Sequence, residues 1–119
     1  MALAQVGLGS ITQVGAASTQ VVYTVGSAKT AYIRGIQLHS LDSTFITNVA
    51  VHIVPTTGGG SIGAASSITR IIKVGLSTED TFFYENAYPI TMNNDGDTIQ
   101  VNNQGTGSVN VLILGDREG

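Results

Sequence analysis

Apolar and polar residues alternate along most of this chain with a period of two. In residues 29–41, Tyr32, Arg34, Ile36 and Leu38 alternate with Ile33, Gly35, Gln37 and His39. Successive side chains of a strand point to opposite faces, so this pattern predicts a strand with one buried face. The first set is the expected core face, interrupted by Arg34. Gly35 in mid-strand predicts a bulge or a close backbone approach. Residues 19–25 hold Val21, Val22, Tyr23 and Val25, all good strand formers. Residues 45–54 set Val49, Val51 and Ile53 against Ala50, His52 and Val54, and Pro55 ends the run because proline cannot donate to a ladder. Residues 68–76, 79–85, 90–92, 97–103 and 108–114 read as further strands. In the last of these Val109, Val111 and Ile113 form the inner face, and Leu112 and Leu114 the outer one. No segment of helix length carries a helical period.

Turn chemistry separates these runs. Asn93-Asn94-Asp95-Gly96 is the strongest signal, since these residues tolerate positive φ. Residues 56–67, with Gly58-Gly59-Gly60 and Gly63, read as a flexible surface loop, and residues 115–119 as a polar tail. Short strands broken by turns every 8–12 residues or so predict a sandwich or barrel. The expected fold is all-β: an antiparallel two-sheet sandwich of jelly-roll type over residues 19–119. Residues 1–18 read as an extended N-terminal arm able to lie across a neighbour, with an edge strand near residues 9–13.

Composition adds a constraint. The chain has 119 residues, enough for one domain, and only 11% are charged. About 25% is usual for soluble domains. Low surface charge favours a surface partly covered by partners. The net charge is −3 without a basic cluster, which excludes a nucleic-acid footprint. With no cysteine, disulfides and thiolate metal sites are excluded. The N-terminus lacks the basic and apolar regions of a secretory signal, and no apolar run approaches the roughly 20 residues of a membrane helix.

Candidate chemistry is sparse. Gly58, Gly60 and Gly63 match a dinucleotide fingerprint in spacing, but no helix follows to meet a pyrophosphate. Asn93, Asn94, Asp95 and Asp97 offer oxygens at a spacing that suits a hairpin turn better than a calcium loop. His39 and His52 lie on neighbouring strands, but two imidazoles alone do not complete a zinc site, and they read as interface or surface residues. No Gly-x-Ser-x-Gly elbow occurs, and Glu79, Asp80, Glu85, Asp95 and Asp97 flank turns where charge is solvated. The expectation is a non-enzyme without cofactor or metal. Apolar residues outside the expected core are the better candidates, since exposed patches mark interfaces. They are Leu112, Leu114, Val54 and Phe83, with His52, and Leu3, Val6, Leu8 and Ile11 of the arm.

Two hairpins carry a resemblance. Val21-Val22-Tyr23-Thr24-Val25, a turn, and Lys29-Thr30-Ala31-Tyr32-Ile33-Arg34-Gly35-Ile36 resemble the opening of many small phage structural proteins. Gly96-Asp97-Thr98-Ile99-Gln100-Val101 and Ser108-Val109-Asn110-Val111-Leu112 resemble their final hairpin. The resemblance spans residues 19–114, and the Gly26-Ser27-Ala28-Lys29 turn departs from the more usual Pro-Ala-Gly-Lys. It implies a β-sandwich located on the virion. Such proteins are capsid decoration (cement) proteins, neck or tail components, or parts of fibres. The implied partners are the major capsid protein or other virion subunits and further copies of the chain, as in a trimer. The capsid surface is the favoured place. The rival is a carbohydrate-binding jelly roll for host adhesion, which would need exposed aromatics; this chain has no Trp, four Tyr and three Phe.

Overall fold

The computed structural model describes residues 3–7, 11–41, 47–76, 79–105 and 107–118, with backbone alone for 3–7 and 47. Among the described residues there is no helix. Nine strands follow one another: β1 (Leu3–Gly7), β2 (Thr12–Val14), β3 (Ser18–Thr24), β4 (Thr30–Ser40), β5 (Thr47–Val54), β6 (Arg70–Leu76), β7 (Thr81–Met92), β8 (Thr98–Asn103) and β9 (Val109–Glu118). They build two antiparallel sheets. The first has the order β1-β9-β4-β7, with β2 also on β9, and the second β3-β8-β5-β6. With β1 and β2 taken as one broken strand, this is a jelly-roll order, the type of sandwich expected from the spacing of strands and turns.

The described residues of the N-terminal arm include the strands β1 and β2, and both lie along this chain's own β9. Leu3 pairs with Glu118 and Gly7 with Leu114, then Thr12 pairs with Val111 and Val14 with Val109. Val14 is wholly buried in the core. Residues 115–118 of the supposed polar tail are the end of β9. It has a strand on each side, β1 and β4, so its backbone groups are paired even where its side chains are polar.

The bulge expected near Gly35 is present and has a larger consequence than its sequence signal conveys. Pairing slips between Ile33 and Gly35 against both β9 and β7. One extra residue reverses the pleat, so the inward set is Ala31 and Ile33 before the bulge, and Ile36, Leu38 and Ser40 after it. Tyr32 and Arg34, expected inside, therefore face outward. On the other side, residues 86–89 stand opposite Arg34 alone. They include Pro89, and this irregularity makes a single strand, β7, look like two pieces in the sequence. Asn86 Nδ2 donates to the Ile33 carbonyl at 3.1 Å, satisfying a group at the break in the ladder.

Between the sheets lie Val25, Ile33, Ile36, Leu38, Val49, Val51, Ile99, Val101, Val109 and Val111, with Ile72, Leu76 and Met92 towards the edges. Burial of a side chain of this size stabilises by roughly 1.5–3 kcal/mol. Their inward placement along β4, β5, β8 and β9 is what holds the two sheets face to face.

Candidate functional site

The two sheets present very different outward faces. On the β3-β8-β5-β6 sheet five outward residues of the two central strands, Ala50, His52, Val54, Thr98 and Gln100, are buried. The cover is the chain's own connection, residues 55–69. Gln100 Nε2 donates to the Gly63 carbonyl at 2.9 Å. Gly63 sits so close to the sheet that a Cβ there would lie 3.0 Å from Val54 Cγ1 and 2.6 Å from the Pro55 carbonyl oxygen. Buried Asp97 accepts from the Thr56 N–H at 2.9 Å and the Asn94 N–H at 3.2 Å, fastening the start of the connection to the 93–97 turn.

His52 fastens the other end. Its Nδ1 shares a hydrogen bond of 3.1 Å with Thr69 Oγ1. The Thr69 hydroxyl donates to the Ser66 carbonyl at 3.0 Å, which makes His52 Nδ1 the donor to Oγ1. Burial lowers the His52 pKa; a hydrogen bond to the Ser66 backbone opposes this, and the Arg70 charge adds to the lowering. The glycine-rich connection is thus a packed cover and not the flexible loop its composition suggests.

No described loop crosses the outward face of β9-β4-β7. Phe83, 48% exposed, stands opposite Gln37, and its ring lies over Gly35, where a Cβ would meet ring carbons at 3.1 Å. Gly35 pairs on its other side with Leu114, and Gln37 with Leu112. Phe83, Leu112 and Leu114 therefore form a low apolar strip across three strands. Beyond Leu112 lies a shallow cleft of about 190 Å³ lined by Ile11, Gln37, His39, Asn110, Val111 and Leu112. His39 Nδ1 is held against Thr81 Oγ1 at 2.7 Å. At the far end of the face the bulge residue Arg34 pairs with Asp116, and Tyr32 Oη donates to Glu118 Oε1 at 3.4 Å.

The structure thus gathers some of the sequence candidates and separates others. Ile11, Phe83, Leu112 and Leu114 share one face. His52 and Val54 belong to the other sheet and are covered, so they are not surface residues of this chain. Leu3 and Val6 occupy register positions opposite Glu118 and Gly115 in β1. Leu8 lies outside the described residues. Sequence reasoning missed the cleft residues Gln37 and Asn110; His39, read from the sequence as an interface or surface residue, lines the cleft with them, and the pairing of β4 with β9 is what sets Gln37 opposite Leu112 and His39 opposite Asn110. It also missed the Arg34–Asp116 pair, for which an arginine breaking an apolar alternation was the available signal. Among the described residues no group of three or more His, Cys, Asp or Glu is placed to hold a metal ion.

Fold and face together define a jelly-roll module with one outward face covered by its own chain and one left bare. No family model and no curated protein matches the chain. Among solved structures it is similar to a chain in the "Structure of infectious bursal disease virus Gt strain", at 6% identity and a TM-score of 0.39, over 98% of this chain and 32% of that one. The chain spans about a third of the length of that viral chain. A likeness this shallow carries no argument about function, and the phage resemblance rests on its hairpin residues.

Proposed function

We propose that this chain is a non-enzymatic structural subunit of a virus particle, a decoration protein seated on neighbouring capsid subunits of a phage through the outward face of β9-β4-β7. The observation that carries the reading is the inequality of the two faces. The chain spends residues 55–69 on covering one sheet, yet leaves Phe83, Leu112 and Leu114 of the other in reach of solvent. A face with apolar side chains at its centre and polar groups at its rim has the make-up of a protein interface. The sparse charge and the hairpin resemblance support the same reading.

The test is binding to particles of the encoding phage that lack the chain. Leu112→Asn with Leu114→Asn should lower occupancy tenfold or more, since each apolar anchor contributes about 1–2 kcal/mol at such interfaces. Undiminished occupancy by this folded variant would sink the reading. A copy number in virions that follows a single vertex and not the capsid lattice would move the chain to the neck or tail. The cleft favours one second reading, a sugar-binding module for host adhesion, because Gln37, His39 and Asn110 offer hydrogen-bonding groups above Leu112. Glycan-array binding competed by free sugar would promote it.

A further inference from the structure

The open sheet edges carry a second kind of information. Among the described residues β6 pairs only with β5 and β7 only with β4, so each leaves one row of backbone N–H and C=O groups without a strand partner. The strand orders place both on the same flank, because β2 of one sheet meets β3 of the other at the opposite flank. Their charges are segregated. β6 carries Arg70 and Lys73 and no acidic residue, whereas β7 and its approach carry Glu79, Asp80 and Glu85, and no basic residue occurs between Lys73 and Arg117. All five are exposed. Among the described residues Arg70, Lys73 and Glu85 make no ion pair. Lys73 lies opposite Ala50 and Glu85 opposite Gly35, which sets both on the outward faces of their strands. Ile71 and Tyr84 on the same strands are 45% and 37% exposed.

Charge on an edge strand can simply block unwanted pairing, but either sign, or a mixture, does that equally well. A basic edge beside an acidic edge is instead self-complementary. We propose that two copies of this chain associate about a two-fold axis running between the sheets, with β6 of each beside β7 of the other. Both contacts then form together, as a symmetric interface requires, and each sheet of one copy continues into the opposite sheet of its partner. Residues 81–85, ahead of the β7 bulge, are the regular stretch that meets Arg70–Leu76. The contact uses the flank, not the outward face assigned above, so the two readings fail separately.

Sedimentation of the full chain tests this. The wild type should dimerise, and less tightly at high salt. R70E/K73E and E79K/E85K should each weaken dimerisation by at least about tenfold, since like charges then face each other twice. An equimolar mixture of the two variants should dimerise again, which also shows that both are folded. Leu112→Asn with Leu114→Asn should leave the dimer intact. A monomeric wild type, charge reversals without effect, or a mixture no better than its parts would overturn the proposal, as would loss of the dimer on changing Leu112 and Leu114.

Discussion

At the scale of single residues, the informative positions are polar groups in places where apolar ones would pack more simply. His52 faces away from the core, yet is only 5% exposed, because Thr69 and Ser66 close over it. Burial holds its folded-state pKa below the ordinary 6.5, so on acidification the unfolded chain takes up a proton first. Its contribution to stability is complete above about pH 6.5 and declines as pH falls from there towards the folded-state pKa. Thermal melting between pH 8 and 5 should therefore show a loss in the wild type that is much smaller in His52→Gln; parallel curves would remove His52 from the account. Asp97 is buried as well, and its two accepted N–H bonds join the start of the 55–69 connection to the 93–97 turn.

At the scale of elements, the bulge in β4 is the most consequential feature. It turns Arg34 out to Asp116, sets Gly35 beneath the Phe83 ring, and brings Gln37 and His39 onto the face of Leu112. The arm is the second such feature. A free arm would be dispensable, but Val14 is part of the core, and β2 is what closes the sandwich beside β3. Removing residues 2–7 should leave a cooperatively folding chain, because among the described strands β1 pairs with β9 alone. Removing residues 2–18 should cost far more, and Val14→Ala alone about 2 kcal/mol from the lost methyl groups and the space they leave. Urea unfolding of the three variants orders them, and equal stability of the two truncations would show β2 to be unimportant.

At the scale of the whole molecule, covering one face sets how many sticky surfaces the chain presents. It measures 46 × 27 × 22 Å, and its long strands leave both outward faces broad. With residues 57–65 replaced by a short turn, Ala50 and Val54 would open to solvent on the sheet opposite the bare face. Such a variant should bind more hydrophobic dye and lose solubility at unchanged far-UV circular dichroism. Unaltered dye binding would mean that the connection is not what keeps that face dry.

The sequence by itself determined the rough limits of most strands, several of the turns between them, and the jelly-roll class. Those properties follow from local preference: β-branched alternation, proline at a strand end, Asn-Asp-Gly at a turn. It also marked Phe83, Leu112 and Leu114 as apolar residues outside the core. The tertiary structure alone decided which of the candidates share a surface. One extra residue in β4 changes the phase of everything after it, and a strand's phase has no local energetic signature until it is packed. Only the fold, likewise, turned a glycine-rich stretch into a cover over His52 and Val54, because its glycines serve close approach to a sheet far away in the chain. The polar end of β9 became a strand for the same reason: backbone pairing with β1 and β4 outweighs side-chain character, and those partners lie at the other end of the sequence.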